Sequence, residues 1–250
     1  MIKGGQRIDT AKGVMLADPH ALGNARHEPA ESLFDPKHWS ARGELAAVSG
    51  GGRGSAWFIG NAENPWVLRH YRRGGFIARL TEDQYLWLGE QRVRAFVEWR
   101  LLAYLGQWGL RVPRPVAAWY RRDGLTYRCD LITERIINVR SLSAALTSGE
   151  VAQGGWNAIG LAIARLHRQG VDHADLNAHN ILLDDTFSIS IIDFDRGRVR
   201  APGTWRLRNL ARLHRSLAKI SLSLPPGRFT PEAWNHLLAG YQTAGALAAG

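Results

Sequence analysis

The stretch His173-Ala-Asp175-Leu-Asn-Ala-His-Asn180, followed by Asp193-Phe-Asp195 at the end of the apolar run Ile189-Ser-Ile-Ile192, governs how the rest of the chain is read. An aspartate five residues before an asparagine, with a second aspartate closing a short strand, is the set of groups needed to receive a proton from a hydroxyl and hold a phosphate-bound cation. Phosphoryl transfer asks the protein mainly to position groups and neutralise charge. Asp175 then faces the attacking hydroxyl, while Asp193 and Asn180 are the candidate metal ligands. Hard oxygen donors of this kind suit magnesium (Mg2+), which keeps waters and borrows phosphate oxygens from its substrate. Cys129 is the single cysteine, so no thiolate cage competes.

Taken one at a time, Asp175 reads equally as a turn cap, Asn180 as a turn residue and Asp193 as the end of a buried strand. Order, spacing and flanking apolar runs together select phosphoryl transfer. His173 is grouped with Asp175 as a candidate catalytic residue. Its first reading is a hydrogen-bonded support for the loop backbone, and a direct part in proton transfer is the second.

Such a loop calls for a preceding glycine turn, a strand bearing a cation and a helix bearing an acid. Gly50-Gly-Gly52-Arg-Gly54-Ser-Ala-Trp57 offers bare backbone N–H groups to phosphates through Gly52 and Gly54, although Trp57 stands where a third glycine is usual and a hairpin turn accounts for the run nearly as well. The strand Trp66-Val-Leu-Arg69-His-Tyr71 would be expected to carry a lysine. The chain has none between Lys37 and Lys219, and only 4 of its 32 basic residues are lysines. Arginine must take the part. Alternation points Arg69 inward with Val67 and Tyr71, and its planar fork can clasp phosphate oxygens; His70 and Arg72 are alternatives.

Residues 90–108 read as a helix with an apolar stripe of Val93, Phe96, Val97, Leu101, Leu102, Leu105 and Trp108. Glu98 shares that face, where a carboxylate is costly unless a cation meets it. We pair it with Arg69, and a surface pair with Arg94 is the alternative.

In this order, with Val112-Pro-Arg-Pro-Val116 and Leu131-Ile-Thr-Glu-Arg135 between, the motifs resemble those of the lipopolysaccharide-core sugar kinases over about residues 45–220. The Arg69-His-Tyr-Arg-Arg-Gly-Gly75 run and the catalytic loop are the most specific parts. The resemblance implies an α+β, two-lobed protein-kinase-like fold and ATP-dependent phosphorylation of a hydroxyl of 3-deoxy-D-manno-octulosonic acid (Kdo) on a Kdo-lipid A precursor. It also implies work at the cytoplasmic face of a Gram-negative inner membrane as a peripheral protein. Asp195 stands where protein kinases have glycine, Asn177 where they usually have lysine, and no Ala-Pro-Glu follows. Only 55 residues come after Asp195, too few for a long activation loop, which favours a small-molecule or glycolipid acceptor. A metabolite or antibiotic phosphotransferase shares the loop but would want an acidic pocket for a cationic acceptor. A nucleotide-binding pseudokinase fits the missing lysine but not the retained Asp175, Asn180 and Asp193.

Charge agrees with an anionic partner. The 250 residues carry a net +10, which suits a phosphorylated glycolipid or an anionic membrane surface; no nucleic-acid motif appears, so no nucleic-acid partner is expected. Arg208, Arg212, Arg215 and Lys219 recur at helical spacing opposite Leu210, Leu213, Leu217 and Ile220. That basic face reads as solvated or as docked on anionic headgroups, where each cation is worth about 1 kcal/mol. No apolar run reaches the roughly 18 residues of a spanning helix, and no signal-peptide core is present. The lone Cys129, in a strand-like run, is expected in the core of a protein from a reducing compartment.

The domain expectation follows. Residues 1–44 form an irregular extension. Residues 45–135 form a nucleotide-binding lobe of five antiparallel strands and one helix, with Glu134 a hinge candidate whose backbone would meet adenine. Residues 136–250 form a helical catalytic lobe containing a helix at 156–168, a hairpin of Ile181–Leu183 with Ile189–Ile192, and closing helices at 206–220 and 231–247.

Overall fold

The computed structural model describes residues 5–48, 56–72, 83–149 and 151–246. The chain divides into two compact units, residues 1–104 with 113–135, and residues 105–112 with 136–250.

The first unit is built on an antiparallel sheet. Its strands are β1 (Gln6–Asp9), β2 (Val14–Ala17), β3 (Leu45–Ala47), β4 (Ala56–Ile59), β5 (Trp66–His70), β6 (Tyr85–Leu86), β7 (Pro115–Asp123) and β8 (Thr126–Glu134). They run in the order β1-β2-β7-β8-β5-β4-β3, with β6 also on β8. The long β7–β8 hairpin turns through Gly124, whose φ of +56° is open to glycine at little cost. Eight strands replace the expected five among the described residues. The short β6 was missed, and β1 and β2 come from the region expected to be irregular.

That region is a structured layer. Short helices α1 (Pro19–Leu22), α2 (Ala30–Leu33) and α3 (Pro36–Ala41) follow β2. Two of them start on an Asp-Pro pair: Asp18 accepts from the His20 amide at 2.9 Å and Asp35 from the Lys37 amide at 2.9 Å, with proline in the first turn. Leu22, Leu33, Phe34 and Trp39 pack on Trp66, Leu68 and Ile132 of the sheet. The short helices of residues 19–41 therefore cover one sheet face, which buries Trp66 and Leu68 of β5 there and turns Val67, Arg69 and Tyr71 to the other. Cys129 is buried.

Helix α4 (Arg94–Gln107) buries Phe96, Leu101, Leu102 and Leu105. Val97 and Trp108 are exposed, and Ala95 and Trp99 are buried.

The second unit contains β9 (Arg140–Ser141), α5 (Leu142–Ser148), α6 (Gln153–Arg168), β10 (Val171–Asp172), β11 (Ile181–Leu183), β12 (Ile189–Ile191), β13 (Arg198–Val199), α7 (Trp205–Ser221) and α8 (Pro231–Ala246). The β11–β12 hairpin pairs Ile181 with Ile191 and Leu183 with Ile189. Helices α6 and α8 touch backbone to backbone through glycines. A Cβ on Gly160 would lie 1.9 Å from the Leu237 carbonyl oxygen, and one on Gly240 would lie 2.1 Å from that of Asn157.

Backbone oxygens cannot swing aside as side chains do, so Gly160→Ala and Gly240→Ala should each destabilise the protein by about 2 kcal/mol or more, against the gain of about 1 kcal/mol that alanine normally brings to a helix. Gly154→Ala, in the same helix α6 with open space around it, is the control and should leave the thermal midpoint unchanged or higher. Equal melting temperatures for all three variants would refute the close crossing.

Candidate active site

The catalytic loop leaves β10 at Asp172 and is shaped by that residue before Asp175 is reached. Asp172 accepts from Asn209 Nδ2 at 2.9 Å, from Arg200 Nη1 at 3.0 Å and from the Ala174 amide at 3.1 Å. Burial alone would raise its carboxyl, but these donors outweigh it and hold the group below the ordinary carboxylate range. The bond to Ala174 helps to hold that residue at φ +58°, in the left-handed region that alanine rarely adopts. The kink separates buried His173 from Asp175, whose side chain is 37% exposed.

The loop is stitched to the end of β12. His173 Nε2 lies 2.9 Å from the Ile192 carbonyl. A carbonyl only accepts, so Nε2 carries the proton. Burial pushes the imidazole below its ordinary pKa, and its Nδ1 is buried with no hydrogen-bond partner among the described residues, which agrees with a neutral ring. His173 is fully enclosed and packs at a tilt against Phe194, with 4.6 Å between ring centres. Its enclosure and its bond to Ile192 fit the supporting role considered for it. Asn180 makes the second stitch: its side-chain amide donates to the Asp175 carbonyl at 3.1 Å, and its own carbonyl accepts from the Ile192 amide at 3.0 Å. Asp193 follows at φ +66°, a second left-handed residue.

Asn177, standing where a lysine was looked for, closes the loop instead. Its Oδ1 accepts from the His179 and Asn180 amides at 2.9 and 3.2 Å, and its Nδ2 donates to the Asp175 carbonyl at 3.0 Å. The cation at Asp175 comes from α7. Arg212 Nε lies 2.9 Å from Asp175 Oδ1, and Nη2 donates to the same oxygen.

Helix α7 thus carries a polar stripe that its leucine and basic stripes concealed. Asn209 meets the His173 amide at 3.1 Å as well as Asp172, Arg212 meets Asp175, and Ser216 accepts from the Ala178 amide at 3.2 Å. Spacings of three and four put these residues on one helix face. Asn209 was legible in principle, as an amide beside buried Leu210 and Leu213 needs partners. Arg200 and the reach of Arg212 had no sequence signal.

In the other unit, Arg69 Nη1 lies 3.2 Å from both oxygens of Glu98, which is 3% exposed, and Tyr71 OH donates to Glu98 Oε2. The Arg69 guanidinium also covers the Tyr71 ring at 4.9 Å. Arg94, the alternative partner for Glu98, lies over Tyr85 at 4.7 Å. His70 turns to the opposite side of β5 and bonds Asp130 at 2.7 Å. Burial would depress its pKa, yet the bond and charge of Asp130 keep it above the ordinary value. Arg72 lies past the end of β5. Gly52 and Gly54 fall outside the described residues. Glu134 closes β8: its amide donates to the Arg114 carbonyl at 2.8 Å and its carboxylate accepts from Arg114 at 3.2 Å.

The donors suit magnesium. The Asn180 side-chain oxygen accepts no hydrogen bond among the described residues, because its Nδ2 makes the internal bond, and Asp193 supplies a carboxylate from the strand end stitched to it. Among the described residues no three His, Cys, Asp or Glu side chains cluster as a self-sufficient cage, and an ion that takes most ligands from phosphates and water needs none.

The lipopolysaccharide kinase (Kdo/WaaP) family matches residues 37–241. The chain is 50% identical over 210 residues to a 3-deoxy-D-manno-octulosonic acid kinase of Stenotrophomonas maltophilia, with 83% of this chain and 81% of that one covered. It is 53% identical to the protein of that name from Xanthomonas campestris, with 83% and 81% covered. For Xylella fastidiosa the identity is 49%, with 84% and 82% covered.

The histidines behind the loop give the fold an acid limit. Burial pushes His167 down to about 4 from 6.5, with its ring 2.8 Å from Tyr241 OH and 3.3 Å from Asn209 Oδ1. The unfolded chain takes up that proton first, so the stabilisation is whole above about pH 6.5 and drains away toward pH 4. It amounts to about 3 kcal/mol, with His173 acting in the same direction. Urea midpoints measured from pH 7.5 to 4 should fall over this window, and less steeply for His167→Gln. Parallel curves for the two proteins would exclude His167 as a cause.

Proposed function

The chain belongs to the lipopolysaccharide kinase (Kdo/WaaP) family, and from that premise we propose that it transfers the γ-phosphoryl group of ATP to a hydroxyl of Kdo on a Kdo-lipid A precursor. The observation that carries this reading is the stitch through Asn180, which ties the Asp175 carbonyl to the Ile192 amide and so joins the loop of the base to the strand end of the metal ligand.

In this reading Asp175 accepts the proton of the attacking Kdo hydroxyl through its outward carboxylate, and the kink at Ala174 aims it. Asp193 and Asn180 hold Mg2+. The ion, when bound, would neutralise charge on the phosphates. Arg69 clasps nucleotide phosphate in the place of the absent lysine, and Glu98 with Tyr71 fixes its fork against the ring. His173, Asn209 and Asp172 keep the loop in register.

Location follows from substrate and charge. No helix among the described residues is long and apolar enough to cross a membrane. A chain of net +10 whose acceptor is an anionic glycolipid works as a peripheral protein on an anionic surface, here the cytoplasmic face of the inner membrane, where ATP is available.

Mass spectrometry of Kdo-lipid A after incubation with ATP and Mg2+ should show one added phosphoryl group, and an unchanged acceptor refutes the substrate. Asp175→Asn should lower turnover by roughly 10²- to 10⁴-fold, the range of a lost general base, while calorimetric binding of ATP·Mg2+ stays near that of the parent. Asp193→Ala should instead weaken that binding. Near-normal turnover in Asp175→Asn removes the base assignment.

Arg69→Ala should raise the KM for ATP and lower kcat by roughly tenfold or more, as expected when a charge-assisted phosphate contact is lost. Arg69→Lys should recover part of both. If His70→Ala or Arg72→Ala reproduces this loss and Arg69→Ala does not, the phosphate cation is elsewhere.

A further inference from the structure

Resting on that acceptor, we infer that Arg212 reads the carboxylate of the incoming sugar acid: anchored on Asp175, its guanidinium receives the substrate's anionic group and carries a negatively charged acceptor up to a negatively charged base. The difficulty it resolves is electrostatic. The acceptor named for the relatives is an acid, so its carboxylate travels on the same sugar as the hydroxyl that must meet Asp175. Two carboxylates in one site repel unless a cation lies between them.

The geometry around Asp175 supplies that cation. Arg212 Nε and Nη2 both donate to Oδ1, and Asn177 Nδ2 lies 3.3 Å from the same oxygen. Oδ2 accepts no hydrogen bond among the described residues, so it is the oxygen left to face a hydroxyl. A guanidinium has five N–H groups in a planar fork. Two are engaged here, and three remain on a side chain that is 47% exposed. A fork of this kind matches a carboxylate in a way that a lysine at position 177 could not.

The surroundings extend the track. Arg208 and Arg215 lie one turn to either side of Arg212 on the same face of α7 and are exposed. Arg208 Nη1 bonds Thr204 Oγ1 at 2.9 Å, and neither arginine makes an ion pair among the described residues. The basic stripe of α7 therefore runs past the base itself, which gives it an acceptor-binding role that a general attraction to headgroups does not require.

The test is a comparison of two acceptors with the full-length chain: the natural acid and its primary carboxamide, which has the same shape without the charge. The parent enzyme should prefer the acid. Arg212→Gln should lower kcat/KM for the acid by about 10- to 100-fold more than for the carboxamide, the span of a lost charge-assisted contact, chiefly through KM, beyond a loss shared by both acceptors from the missing bonds to Asp175 Oδ1. Arg212→Lys, which keeps charge without the fork, should fall between them. Thermal melting and ATP·Mg2+ binding would establish that the variants are folded. Equal loss on both acceptors, in either folded variant, would show that Arg212 only orients Asp175 and overturns the inference. A parent enzyme that transfers nothing to Kdo-lipid A overturns the acceptor assignment itself, a result distinct from transfer that ignores Arg212.

Discussion

An imidazole N–H, meeting a carbonyl that can only accept, holds the catalytic loop to the segment that leads from β12 to Asp193. The His173–Ile192 bond at 2.9 Å is enclosed, so neither partner can turn to water if the other leaves. A typical hydrogen bond contributes about 1 kcal/mol net, but orphaning a buried carbonyl costs about 1–3 kcal/mol. Protonation of the ring would add a second buried donor at Nδ1, which has no partner among the described residues. Burial of both partners therefore makes His173 a dependable support.

Rigidity of this kind has a backbone cost. Ala174 and Asp193 both lie in the left-handed region, each worth of order 1–3 kcal/mol of strain, and each adjoins a residue of the stitch. They persist because Asp172, Asn209 and Asn180 over-determine the backbone on both sides. The strain turns the Asp175 carboxylate outward while the residue before it stays in the core.

Legibility differed by the kind of signal involved. The β11–β12 hairpin, α6 and the leucine stripe of α7 announce themselves through periodicity, and the pairing of Arg69 with Glu98 could be argued from an acid placed on an apolar helix face. The N-terminal layer could not, because β2 is buried along its whole length and shows no alternation, while α1, α2 and α3 are too short for a helical period. Their Asp18-Pro19 and Asp35-Pro36 starts were the available clue. At the site, Asn209 left a trace as a polar residue among leucines. Arg212 left none, since a cation on a basic stripe looks alike whether it meets water, headgroups or a carboxylate on another loop.

Arginine's chemistry links the two ends of this reading. In a chain with 4 lysines among 32 basic residues, both cations assigned to the reaction are forks already held by an acid: Arg69 by Glu98, and Arg212 by Asp175. A lysine ammonium is a mobile, strongly hydrated point charge, whereas a guanidinium can bond one carboxylate along one edge and keep other N–H groups for a second anion. The acid that holds each arginine also aims it. In the proposed reaction that second anion is phosphate for Arg69 and the acceptor for Arg212, so the same two-sided contact would position donor and acceptor with a single residue type.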